Sequence, residues 1–297
     1  MIRQKGSILI ASIWALSVFS VFIASLGFEG AQHALLMKRE IQNLETKSLF
    51  LSGLNLASQK IFSDSLPHED SKQEDWYGDI ILPEPWKENL SIHVEDEESK
   101  LNLNAAPQAF LESFLKLFEE EVDSLKGERK DFVTQILKAR GKQRIRSLEE
   151  LYLLEDLERE DIEKLKPYLT VYPDLAPINI NTAKPLILEA LIESLPGDDL
   201  AKGELLRKIT EFLETKKEGI AQSFASKDLD PNAFQEKLKL TASPQMLSLV
   251  NQFLPFMTTD SRTYRLSVKA KAGKEAEAII REKGEGFGME VMSWNEH

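Results

Sequence analysis

The sequence of 297 residues predicts an α+β fold: a long N-terminal helix, antiparallel strands, and a large all-helical stretch that separates two β-rich regions. Three patterns carry this expectation. Ser7 to Phe28 is a run of 22 residues with no formal charge, and the residues after it keep apolar side chains at helical steps. Short runs of apolar–polar alternation occur at Leu90–Val94 and again from Thr263 onward. Between them, residues 105 to 256 carry helix start signals and helical periodicity.

The first element is the uncharged run. As a helix it is roughly 33 Å long at about 1.5 Å per residue, enough to cross the hydrocarbon core of a bilayer. Residues 7–28 therefore read as one transmembrane helix. Arg3 and Lys5 precede it and Glu29 follows, so the positive-inside bias leaves the leader in the cytoplasm and the rest of the chain outside. A secretory signal has its small-residue cleavage site after the apolar run, and Gly27 to Gln32 is a poor match. Gly6-Ser7 lies before the run instead, so cleavage there would remove residues 1–6 and keep the span. An uncleaved anchor accounts for the same residues.

Residues 29–66 continue the helix outside the membrane. Met37, Ile41, Leu44, Ser48, Leu51, Leu54, Ala57 and Ile61 fall at three- and four-residue steps with polar residues between them. Nothing breaks the helix at Phe28, which predicts one rod from about Ser7 to Phe62, ended by Pro67 and His68-Glu69-Asp70. Leu51 to Ile61 are expected to pack into a core, whereas Ala31 to Leu44, with Met37 and Ile41, are expected to face neighbouring subunits.

Residues 67–104 form the first β part. Leu90–Val94 reads as a strand, Glu95 to Glu98 as a hydrophilic turn, and Leu101 to Asn104 as the second arm of a hairpin. An internal repeat begins there: Leu101-Asn102-Leu103-Asn104-Ala105-Ala106 matches Ile178-Asn179-Ile180-Asn181-Thr182-Ala183, and each copy runs into an apolar helix with a nearby proline, Pro107 or Pro185. Asn102, Asn104, Asn179, Asn181 and Thr182 are thus expected to cap those helices. Further helices are expected at Phe132–Arg140, from a capping box at Ser147, at Glu158–Pro167, at Leu200–Lys217 and at Pro244–Phe253. Residues 257–297 return to β, as a meander of three strands separated by Gly273, Gly284 and Gly286.

Composition narrows the function. Setting Arg3 and Lys5 aside, 35 basic residues face 49 acidic ones, a balance that repels phosphate backbones. With no cysteine, thiolate metal sites and a cysteine nucleophile are excluded. The four histidines, His33, His68, His93 and His297, fall in separate segments with no metal-ligand spacing. Ser113-Phe114-Leu115-Lys116 is a Ser-x-x-Lys match whose middle residues belong to an apolar helix face, and Gly284 to Gly288 is a glycine cluster that opens no helix. No catalytic constellation emerges and no cofactor is expected. The acidic runs Glu95–Glu98 and Glu119–Asp123 could offer oxygens to calcium, but neither has the spacing of a calcium loop.

The early residues resemble the class III signal of type IV pilins and type II secretion pseudopilins, in which a prepilin peptidase cuts after the glycine. Most such proteins carry Glu at the fifth mature position; this chain has Ala11, the mark of the K subunit among pseudopilins. Ser99 to Asn104, Arg146 to Leu151, Tyr168 to Tyr172 and Ile178 to Ala183 extend the likeness along the chain. On these motifs the chain resembles the general secretion pathway protein K family, the minor pseudopilins of the type II secretion system. The resemblance implies a pilin-like α/β domain with the helical region inserted, and assembly with pseudopilins I and J, and with H and the major G subunit, in the inner membrane with the head in the periplasm. Leu154 to Leu157 lacks the glycine turn of relatives, and residues 198–240 align poorly. The repeat also resembles the helix-hairpin-helix modules of DNA-uptake receptors, but the corresponding sites, Leu195 to Asp199 and Leu154 to Leu157, are acidic, so no nucleic acid is expected.

Overall fold

The structure, a computed structural model, describes residues 3–63, 72, 74–84, 86–121, 129–154, 158–172, 177–217, 243–271, 273–283 and 288–296. The expected helix end at Pro67, the segment Glu155–Leu157, residues 218–240 of the poorly aligned stretch, the cluster Gly284–Phe287, Val122-Asp123 and the histidines His68 and His297 lie outside the described residues. The chain divides into two compact units, Met1–Ser52 and Gly53–His297.

The first unit is helical. Helix α1 (Arg3–Phe62) runs without a break through Phe28, as expected, and begins earlier than Ser7. The second unit holds the last turns of α1, a five-stranded sheet and the helical region.

The sheet is made of β1 (Gly78–Asp79), β2 (Leu90–Asp96), β7 (Thr263–Ala270), β8 (Glu275–Glu282) and β9 (Met289–Glu296), in that spatial order and antiparallel throughout. The C-terminal meander is as expected, with Gly273 at positive φ in the β7–β8 turn. β2 and β7 are neighbours although residues 97–262 separate them, so the helical region is an insertion between two paired strands. Alternation sets the buried face. Leu90, Ile92 and Val94 of β2 lie beside Leu266, Val268 and Ala270 of β7 and Ala276, Ala278 and Ile280 of β8.

Helix α1 meets this face through a small residue. A Cβ on Gly53 would stand 2.9 Å from Val268 Cγ1 and 3.5 Å from Ile92 Cδ1, so only glycine permits that approach. Ala57 and Ile61 are buried along the same side, while Leu51 is 46% exposed. The expectation that Leu51 belongs to the core is therefore corrected: the buried stripe runs through Gly53, Ala57 and Ile61. Trp76 closes the edge of this core, its ring packed edge-on against Tyr264 at 5.1 Å.

The expected hairpin does not form. β2 continues through Glu95 and Asp96, and Glu97–Ser99 make a buried 3-10 turn that carries the chain off the sheet. β3 (Leu101–Asn102) then pairs in parallel with β4 (Leu169–Thr170), and β5 (Ile178–Asn179) pairs in parallel with β6 (Met257–Thr258). Helices α2 (Gln108–Glu121), α3 (Arg129–Lys142), α4 (Arg159–Leu165), α5 (Pro185–Ser194), α6 (Asp199–Lys217) and α7 (Pro244–Phe253) fill the insert. Their apolar faces join in one cluster centred on Phe114, Leu115 and Phe118 of α2 and Ile187, Leu191 and Ile192 of α5.

The insert is a tandem of two similar units, and the repeat extends beyond the Asn-x-Asn entry. Each unit also ends alike: Lys166-Pro167-Tyr168-Leu169-Thr170 and Leu254-Pro255-Phe256-Met257-Thr258 both form a 3-10 turn followed by the strand that pairs with that unit's own entry. Matching hydrogen bonds recur in both. The N–H groups of Leu103 and Ile180 donate to the carbonyls of Thr170 and Thr258, and those of Ala106 and Ala183 donate to the carbonyls of Asn102 and Asn179.

Candidate functional site

Two features stand out: an apolar helix surface in the first unit and a buried ionic cluster in the second. The apolar surface is the α1 segment from Leu9 to Leu44. Its large side chains, including Trp14, Phe19, Phe22 and Phe28, are exposed, and an 18-residue window of the helix has mean hydropathy 2.2. Two of its hydroxyls are satisfied inside the helix: Ser17 Oγ donates to the Ile13 carbonyl at 2.9 Å and Ser20 Oγ to the Leu16 carbonyl at 2.8 Å. Back-bonding of this kind lets serine enter a lipid phase without an orphan donor. Among the described residues this is the one helix long and apolar enough to cross a membrane. Ala11 lies on it, and Met37, Ile41 and Leu44 are 65, 52 and 60% exposed respectively. They sit where partner-facing positions are expected. Of Gly6 and Ser7 only the helical backbone is described.

The ionic cluster replaces the expected hydrophilic turn. Asp96, Glu97 and Glu98 are buried, and so is Lys100. Asp96 ends β2 and uses both oxygens: Oδ1 accepts from the Glu98 N–H at 2.7 Å, and Oδ2 accepts from Asn179 Nδ2 at 3.1 Å, Ser261 Oγ at 2.6 Å and Thr182 Oγ1. Glu97 faces the other way. Its Oε1 meets Lys100 Nζ at 2.7 Å and Arg265 Nε at 2.8 Å, and its Oε2 accepts from Thr170 Oγ1. Two consecutive carboxylates thus grip the two insert units, Glu97 the exit of the first and Asp96 the entry of the second.

Burial and pairing act in opposite directions here. Burial pushes the Glu97 carboxyl up, but Lys100 and Arg265 outweigh it and hold it at about 2. Glu98 has no cationic partner of that kind; burial and the Asp96 charge push it up to about 7, and its Oε1 accepts from the Arg262 N–H at 3.0 Å. Burial raises Asp96 as well, against the hydrogen bonds from Ser261, Thr182 and the Glu98 N–H that lower it. Burial alone would lower Lys100, yet Glu97 and Glu95 raise it.

The Asn-x-Asn residues are brought to the bases of the insert units, but they do not cap helices. Helix α5 has Lys184 as its N-cap, with no side-chain bond, and at the start of α2 the N–H groups of Phe110 and Leu111 donate to the Pro107 carbonyl. Asn102 Oδ1 and Asn179 Oδ1 instead accept from the N–H groups two residues on, of Asn104 and Asn181, closing tight turns before each helix. Asn104 spans two segments, donating to the carbonyls of Ile145 and Val171 and accepting from the Ile145 N–H. Thr182 serves Asp96. The signal that could have revealed this is the coincidence of four adjacent carboxylates with Lys100 and an alternating strand ending in Asp96, since a strand that alternates into acidic residues continues its buried face there.

No metal-binding group of His, Asp or Glu occurs among the described residues. At Glu95–Glu98, protein donors occupy the carboxylates of Asp96 and Glu97, and Lys100 Nζ also takes Glu95 Oε2 at 2.7 Å. The possible phosphate-binding turn is occupied too. Gly197 has no room for a Cβ because Leu249 Cδ2 would lie 2.7 Å away, and Asp198 Oδ2 accepts from the Ala201 N–H at the start of α6. Its glycine serves packing against α7 and its anion site is filled by the chain's own carboxylate.

No family model matches the chain, and no curated protein matches it. Among solved structures, the crystal structure of the GspK-GspI-GspJ complex from the enterotoxigenic Escherichia coli type 2 secretion system contains a similar chain. The two align with a TM-score of 0.58 at 15% sequence identity, over 87% of this chain and 99% of that one. They share a fold. The expected α+β class, with a long N-terminal helix, a pilin-like antiparallel sheet and a helical insertion, is the architecture found.

Proposed function

We propose that this chain is a minor pseudopilin of a type II protein secretion system, of the K kind, that assembles with pseudopilins I and J at the tip of the pseudopilus. The observation that carries the reading is α1: an unbroken helix whose apolar side chains from Leu9 to Leu44 are exposed, leading into a sheet interrupted by a bulky insertion. The shared fold with a chain of the GspK-GspI-GspJ complex and the spread of family-like motifs support it. In this reading the uncharged part of α1 crosses the inner membrane with the N-terminus cytoplasmic and the head periplasmic, until prepilin peptidase cuts between Gly6 and Ser7. The helix then transfers its burial from lipid to other subunits' helices. Ala11 leaves the chain without the carboxylate that an incoming pilin subunit offers to a neighbour's terminal amine, and the insert obstructs addition above it. Both restrict it to a filament end, where it helps to start and cap the pseudopilus with the H and major G subunits.

Cysteine substitutions test the partner-facing surface. Met37→Cys and Ile41→Cys are expected to form crosslinks to other pseudopilins in membranes, whereas Ala57→Cys, buried in the head, is expected to form none. Crosslinks from none of the three would remove the support for assembly through α1.

A further inference from the structure

The insert and the sheet have separate cores. The apolar cluster of the insert is drawn wholly from Leu101 to Met257, and none of β2, β7 and β8 contributes a side chain to it. Where insert faces sheet there are instead two cavities, of about 240 and 340 Å³, both lined by Val171 and Tyr172 on the insert side. The connection is the polar neck: Asp96 to Lys100 on the way out of the sheet and Thr259, Ser261 and Thr263 on the way back, all buried. A body with its own core, joined to its neighbour through polar groups, can move without exposing either core.

The neck has two unlike faces. On one, Glu97 is clamped by Lys100 and Arg265. On the other, Asp96 and Glu98 are buried close together with Asp260 nearby, and among the described residues neither forms an ion pair with a cation. Asp96 Oδ1 accepts from the Glu98 N–H at 2.7 Å; the Glu98 carboxyl accepts from the Arg262 N–H at 3.0 Å and from the Thr263 hydroxyl. The Arg262 side chain turns to Asp260 instead, Nε to Oδ2 at 3.6 Å, and Arg281 stands opposite Thr263 in register on β8. Two carboxylates in one buried site cannot both be ionised cheaply, so one of them holds a proton. Burial and the Asp96 charge bring Glu98 up to about 7, so that proton is exchanged near neutrality.

We propose that the neck is a proton-operated latch: with Glu98 protonated the insert is held closed on the end of β2, and release of that proton to solvent opens the Asp96–Glu98 face so that the insert tilts about the Glu97 clamp. The grip that is lost is that of Asp96, whose Oδ2 holds Asn179 and Thr182 at the entry of the second insert unit and Ser261 on the return strand. A second charge beside Asp96 favours water in the neck, and water replaces those donors. Glu97 keeps its two cations at the same pH, so the other face stays joined and serves as the pivot. The insert moves as one body because its two units share one apolar cluster. The latch is independent of α1 and does not rest on the filament reading.

The test uses the full chain in detergent micelles. Because the chain has no cysteine, spin labels can be placed at will, on Leu200→Cys in the insert and Lys271→Cys beyond β7, both exposed. Pulsed electron spin resonance is expected to give one narrow distance distribution at about pH 5.5 and a displaced, broader one at about pH 8.5, with the far-ultraviolet circular dichroism unchanged. Adding Glu98→Gln, which keeps the shape of the protonated side chain, is expected to hold the narrow distribution at both pH values. In the infrared, the carbonyl band of a buried protonated carboxyl is expected in the wild type at the lower pH and lost in Glu98→Gln. The same distances at both pH values in the wild type, an equal shift in the variant, no such band, or loss of helix at the higher pH would each overturn the proposal.

Discussion

Glu97 and Glu98 are adjacent and both buried, yet their carboxyls move in opposite directions because only Glu97 faces Lys100 and Arg265. The consequence is a stability profile with two opposed slopes. Glu97 is held at about 2, below its ordinary 4.5, so its stabilisation is present above pH 4.5 and lost as pH falls toward 2. Glu98 is raised from 4.5 to about 7, so its contribution is full below pH 4.5 and lost as pH rises through 7. Unfolding free energy is therefore expected to fall by roughly 2 to 4 kcal/mol between pH 5 and 8, and Glu98→Gln should flatten that decline. Denaturant titrations at a series of pH values check this; an unchanged slope in the variant would show that Glu98 does not set it. Lys100→Met should cost about 2 to 4 kcal/mol at pH 7, because it leaves Glu97 buried with Arg265 as its remaining cation. A melting temperature within a degree or two of wild type would contradict that ionic role.

At the scale of elements, α1 depends on the one residue that apolar counting overlooks. Periodicity found the helix and its end at Phe62, but placed Leu51 inward because it scores leucine and ignores glycine. Packing obeys steric access instead: Gly53 lets the helix backbone approach Val268 and Ile92, which turns Leu51 outward. Gly53→Val is expected to destabilise the head by about 1 to 3 kcal/mol despite removing a helix-interior glycine, as thermal unfolding would show. Stabilisation would mean that the contact with Val268 is loose. The Asn-x-Asn turns were legible as a repeat but not in their role, because the partners that decide it, Asp96, Ile145 and Val171, are distant in sequence. The same reason hid the pairing of β3 with β4, which looked like a local hairpin until the parallel partner 68 positions on was available, as the register of Leu101 with Leu169 shows.

At the scale of the molecule, the order of parts was readable because each announces itself locally: an uncharged run, alternating strands, and helix starts. That the helical region is inserted between two paired strands was implied by resemblance, and the register of β2 with β7 establishes it. The ionic cluster at the neck of the insert was misread as a solvated turn, since four carboxylates in a row look hydrophilic until Arg265, from the far side of the insert, is placed beside them. Exposed apolar residues on α1 and the interrupted sheet together motivate the pseudopilin reading, whose central claim is a helix that stays attached after a six-residue leader is removed. N-terminal sequencing of the chain extracted from membranes tests that claim most directly. The account predicts a first residue of Ser7; a start at Met1, or anywhere beyond Phe28, would contradict it.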